Sequence, residues 1–138
     1  MNAFQQLICK MKVSCHDLQT LHRHLSGGEG QWFTIHELLD EYHEKVAEMT
    51  DDLIEIGMSV SITEPGIAEA VKAYKPMPAK NRNPRETLND IRVLFTDIAD
   101  MMQAIGTQLD DDQRYIQSKL DEYIYYLRKE ADYKLAMA

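Results

Sequence analysis

The sequence predicts an all-α fold: a four-helix bundle whose second and third helices are joined by a long crossover carrying a short helix of its own. Three observations predict it. Apolar residues recur at steps of three and four through four separate stretches, the spacing of helices with one buried face. Glycine and proline cluster between those stretches. The segment from Ser59 to Asn83 is too long and too often interrupted by proline to be a turn, which makes it a crossover. At 138 residues the chain has the size of one domain, residues 1–138, and can bury a core.

The first helix is expected from Ala3 to Leu25, with Phe4, Leu7, Ile8, Met11, Cys15, Leu18, His22 and Leu25 on its apolar face. His22 sits in that stripe and reads as a core histidine bonded to a polar neighbour, whereas His24 lies away from it. Cys9 and Cys15 are six apart on this helix. Their Cα atoms would be roughly 9 Å apart, beyond disulfide reach, so they read as reduced thiols packed as small hydrophobes. Ser26 to Gly30, rich in glycine, breaks the helix.

The second helix is expected from Trp32 to Met58. Its apolar stripe is Ile35, Leu38, Leu39, Tyr42, Val46, Met49, Leu53 and Ile56. Trp32 is placed to pack where the first two helices join and to shield what lies behind it from water. In the crossover, Pro65-Gly66, Pro76, Pro78 and Pro84 bracket one short helix, Ile67 to Lys75. Asn83, Pro84 and Glu86 then form a strong helix start: a capping side chain, proline at the first helical position, and an acid at the third. The third helix runs to Ile105, with Leu88, Ile91, Leu94, Phe95, Ile98, Met101 and Met102 inward and Gly106 as its stop. Asp110 to Asp112 open the last helix, favourably placed at its positive end. Ile116, Leu120, Tyr123, Ile124, Leu127 and Ala131 form its core face, and its tyrosines divide between core and interface.

The chemistry concentrates between His24 and Glu55. His36 and Asp40 are four apart, as are Asp51 and Glu55, so each pair puts two metal-ligand side chains on neighbouring turns of one helix face. The pairs themselves are fifteen residues apart, roughly 22 Å along a straight helix, so one helix cannot bring all four to one ion. Two copies can. Antiparallel about a two-fold axis between Lys45 and Val46, His36 faces Glu55 of the second copy and Asp40 faces its Asp51, because both pairs share that midpoint. His36, Asp40, His43 and Asp51 centre about 120° from the apolar stripe, and Glu55 lies further round, so the ligands face sideways toward a neighbour. His43 reads as an interfacial hydrogen-bonding group on that face.

The run from His24 to Gly57, HLSGGEGQWFTIHELLDEYHEKVAEMTDDLIEIG, resembles the metal-binding region of the Dps family, the small ferritins named for DNA protection during starvation. That family has a His, a second His twelve residues later, an Asp four further on, then an Asp and a Glu four apart. His24, His36, Asp40, Asp51 and Glu55 match in register without a gap. Leu25 stands where the family usually has Trp, Ile56 where it has Arg, and its Gly-Asp-x-Gly-Thr segment is absent before the last helix. The resemblance implies a ferritin-like bundle in which His24, His36 and Asp40 of one subunit and Asp51 and Glu55 of its two-fold mate bind iron. It further implies a homo-oligomer, a dodecamer in the family, that oxidises Fe(II) with peroxide or dioxygen and stores ferric mineral in its hollow interior. The acidic triplet would then line an iron pore at a three-fold axis.

Other readings are weaker. A di-iron centre inside one bundle uses Glu-x-x-His motifs, and the sequence has none. A non-catalytic helical assembly module is the remaining alternative. The net charge of -8 and a pI near 5.0 disfavour a nucleic-acid partner, which needs clustered Lys and Arg. No apolar run approaches the roughly 20 residues that cross a bilayer, and no signal peptide is evident, so the expected location is cytoplasmic.

Overall fold

A computed structural model describes residues 1–136. Its helices are α1 (Ala3–Arg23), α2 (Glu29–Ser59), the short α3 (Ile67–Ala73), α4 (Pro84–Gly106) and α5 (Arg114–Lys129). A 3₁₀ turn, Asp111–Gln113, precedes α5, and a π-helical turn, Glu130–Lys134, extends it. Among the described residues there is no strand, only a single bridge between Leu25 and Arg82, and no helix is long and apolar enough to cross a membrane. The expected all-α bundle with its crossover is the observed one, and the last two residues, 137 and 138, lie outside the description.

The capping chemistry explains where the helices start. Asn2 Oδ1 accepts from Gln5 N at 2.8 Å while Gln5 Oε1 accepts from Asn2 N at 3.1 Å, and Asn83 and Glu86 repeat that exchange at α4. At α2 the glycines act instead: Gly27 and Gly28 adopt φ of 74° and 75°, and the helix starts at Glu29, three residues before Trp32. This early start departs from the sequence reading because two left-handed residues turn the chain within a shorter loop than the glycine-rich composition suggested.

The core is continuous across α1, α2, α4 and α5, with Leu7, Met11, Leu39, Phe95, Ile98 and Leu120 sealed from solvent. At roughly 25 cal/mol for each Å² of apolar surface removed from water, this burial is the dominant favourable contribution. Tyr42, fully buried, meets Phe95 edge-on at 4.8 Å between ring centroids and donates to Glu130 Oε2 at 3.1 Å, linking α2 to the π turn. The crossover is not passive. Ala70 and Tyr74 cover Cys9 and Val13, so α1 buries a second face against α3, and both cysteines are free thiols.

Two buried charges pin the rest of the crossover. Asp17 accepts from Met77 N at 2.8 Å, and Arg82, 3% exposed, pairs through Nε with Asp90 Oδ2 at 2.7 Å. That Nε is off the hydrogen-bond line, so charge holds it, while Nη1 donates to the Pro78 and Lys80 carbonyls. The Arg82 backbone donates to His24 O at 3.0 Å and accepts from Ser26 N at 2.9 Å. The end of the crossover is thereby fastened to the end of α1.

Candidate metal centre

α1 and α2 meet in a cluster of three ligand-type side chains. His22, His36 and Asp40 place one ligand atom each within 4.8 Å of one another. His36 and Asp40 come from successive turns of α2, as their spacing requires. His22 comes from the last turn of α1; its ring centroid is 3.8 Å from that of His36 at a 41° tilt, and its Nε2 is 3.3 Å from Asp40 Oδ1. Trp32 closes one side, stacking on His36 at 4.5 Å and 19° and donating from Nε1 to Leu25 O at 2.9 Å.

Here the structure differs from the sequence reading. The cluster takes His22 where the reading put His24. His22 lies within the last turn of α1, whereas His24 follows its end with non-helical backbone, φ -111° and ψ 14°. His24 is the C-cap of α1, its amide bonded to Thr20 O and its carbonyl to Arg82 N, and it is not among the three gathered residues. The expectation that His22 is bonded to a polar neighbour holds only as close approach to Asp40: Nε2 is 3.3 Å from Oδ1 but buried and without a hydrogen-bond partner among the described residues. Register across the glycine turn hid this, because a gap-free match through Ser26–Gly28 selects His24. The helical phase of His22 with Leu18 was the available signal.

Asp51 and Glu55 are exposed on α2, outside the cluster. One copy therefore holds three gathered ligands and two that point elsewhere. Beside Glu55 is a cavity of about 380 Å³ lined also by Asp52, Ser59, Tyr115 and Lys119. Asp52 accepts a short hydrogen bond, 2.5 Å, from the buried Tyr123, and as the next residue on the helix it diverges from Asp51 by about 100°. His43 is half-buried and Tyr126 likewise, while Tyr125 is 69% exposed.

The donor set suits a divalent metal of borderline hardness, two imidazoles and a carboxylate. Burial first, and the neighbouring His36 second, push the His22 imidazole below its ordinary range, which favours its neutral form. A neutral imidazole whose buried Nε2 has no hydrogen-bond donor to satisfy it fits a cation placed among the three side chains.

The fold is that of the ferritin-like four-helix bundles, with the His22, His36 and Asp40 cluster where the end of α1 meets α2. Within that class the chain resembles the Dps proteins. It superposes on the antigen TpF1 from Treponema pallidum with a TM-score of 0.89 at 19% identity, covering 98% of this chain and 87% of that one. A Dps protein from Bacillus brevis gives a TM-score of 0.88 at 18% identity, with 98% and 91% covered. At these identities the likeness is one of fold. In sequence, 61 residues are 33% identical to DNA protection during starvation protein 2 of Deinococcus radiodurans, a match spanning 44% of this chain and a quarter of that protein. No protein-family model matches the chain.

Proposed function

We propose that this chain is a Dps-type iron-oxidising protein whose active centre is completed by a second copy. The observation that carries the reading is the convergence of His22, His36 and Asp40, while Asp51 and Glu55 stand exposed eleven and fifteen residues beyond Asp40 on the same helix. Placed antiparallel about the Lys45–Val46 midpoint, a second copy brings its Asp51 and Glu55 to the cluster of the first, giving two equivalent sites.

Fe(II) is the substrate. Two imidazoles and a carboxylate from one copy bind it, and carboxylates from the other favour Fe(III) as positive charge builds, which lowers the barrier to oxidation. Each Fe(II) gives one electron to peroxide or dioxygen; two such electrons and two protons convert one peroxide to two waters. Trp32 covers His36 and limits water at the metal. A hollow homo-oligomer, the dodecamer of the resemblance, would hold the ferric product as mineral.

Complementation tests the shared site. Subunits carrying His36→Ala and subunits carrying Asp51→Ala are each inactive under this reading. Refolded together, they form hetero-dimers with one intact site, so about half of the Fe(II)-dependent peroxide consumption per hetero-dimer returns. Single variants that keep the wild-type rate would instead assign the chain to a non-catalytic assembly module.

A further inference from the structure

A cavity of about 490 Å³ lies where the first turns of α2 and α4 meet the end of the chain's last helical turn. Its size is that of a small-molecule site. Arg85, Asn89 and Arg92 project into it from α4 and Gln31 from α2, while Leu88 and Leu135 give it an apolar floor. Arg85 and Arg92 are seven apart, two turns on one face and roughly 10 Å along the axis, with Asn89 between them. Neither guanidinium makes an ion pair or side-chain hydrogen bond among the described residues. The carboxylates flanking them in sequence are already engaged: Glu86 accepts from Asn83 N at 3.3 Å, and Asp90 holds Arg82. Asn89 and Arg92 also line an adjoining cavity of about 390 Å³ with Val93, Thr96 and Asp97; it extends the concave surface along α4, and the Asp97 carboxylate marks the far limit of the basic stretch.

We infer that this cavity binds a small phosphate-bearing anion. Guanidiniums are fork-shaped donors matched to phosphate oxygens, these two have no ion-pair partner among the described residues, and the Asn89 and Gln31 amides supply further donors without adding charge. The larger charge of two linked phosphate groups suits a pair of arginines better than a single phosphate does. Beyond about 8 Å at physiological salt the net charge of -8 is largely screened, so the local potential for a compact anion is set by the two arginines against the neighbouring Asp97. A long polyanion, which must pass over the rest of the acidic surface, is disfavoured.

The full chain, free of metal, is titrated with inorganic phosphate and with pyrophosphate at physiological ionic strength, by calorimetry and by phosphorus NMR. Saturable binding is expected, tighter for pyrophosphate. Arg85→Gln and Arg92→Gln each weaken it about tenfold, as loss of a charge-assisted fork does. Arg114→Gln, an exposed arginine that does not line the cavity, leaves it unchanged. Three results overturn the inference: no saturable binding; equal weakening by Arg114→Gln; or cavity variants that alter only the size of the assembly, which would assign both arginines to contacts between copies. Because no metal is present, each result stands apart from the iron-oxidising reading.

Discussion

Nε2 of His22 stands 3.3 Å from Oδ1 of Asp40, close enough for attraction but off the line of a hydrogen bond. The contact joins the end of α1 to the fourth turn of α2, and a cation between the two atoms would replace a poor contact with two good ones. Under the proposed function, iron binding therefore depends on whether His22 or His24 supplies the ligand beside α2.

His22→Ala and His24→Ala separate that question cleanly. With Co(II) as a spectroscopic stand-in for Fe(II), His22→Ala and His36→Ala are expected to weaken binding by more than about tenfold, since even lost supporting groups around a metal cost 10–100-fold. His24→Ala should stay within about twofold. The reverse order, read from the visible absorption of the bound cobalt, would restore the gap-free register.

Arg82 fastens the crossover to the segment directly after His22. Replacing it with Met leaves Asp90 without its buried partner and two carbonyls without a donor, a loss of about 3 kcal/mol. Lys does not recover it, because one ammonium cannot reach Asp90, Pro78 and Lys80 together. Denaturant unfolding measures both, and an Arg82→Met midpoint equal to wild type would show the staple to be dispensable.

Asp17 is mainly subject to burial, which raises it above the ordinary carboxylate range despite the opposing Met77 amide. A folded-state value above the unfolded one means the native protein binds the proton more tightly. Its contribution to stability therefore declines as pH rises from the ordinary carboxylate value to the raised one, and above that window the charge opposes folding. Asp17→Asn keeps an acceptor for Met77 and should flatten this part of the pH profile while leaving stability at pH 7 unchanged or slightly higher. Asp17→Ala removes the acceptor and should cost about 1–3 kcal/mol at every pH. Thermal melts of the three proteins between pH 4 and pH 7 decide it.

Gly27 and Gly28 share nearly the same left-handed φ but not the same surroundings. Alanine at Gly27 meets open space and pays only for the backbone, about 1 kcal/mol. At Gly28 the added Cβ collides with the Pro84 ring, so the start of α2 must move away from α4 and the cost should be at least about twice as large. Equal melting temperatures for the two variants would show that the turn is free to shift.

The sequence by itself determined the helices and much of their chemistry. Apolar spacing marked each helix face, and Asn83-Pro84-Glu86 marked the start of α4, because these signals act within a few residues of chain. The four-residue step from His36 to Asp40 likewise guaranteed that they share a face. Only the tertiary structure decided that His22 completes their cluster, that α3 covers a second face of α1, and that Arg82 ties the crossover to His24 and Ser26. Those outcomes depend on how far α1 is rolled against α2. That angle is set by packing around Leu7, Met11, Leu18 and Leu21, and the left-handed glycine turn loosens the sequence register between the two helices.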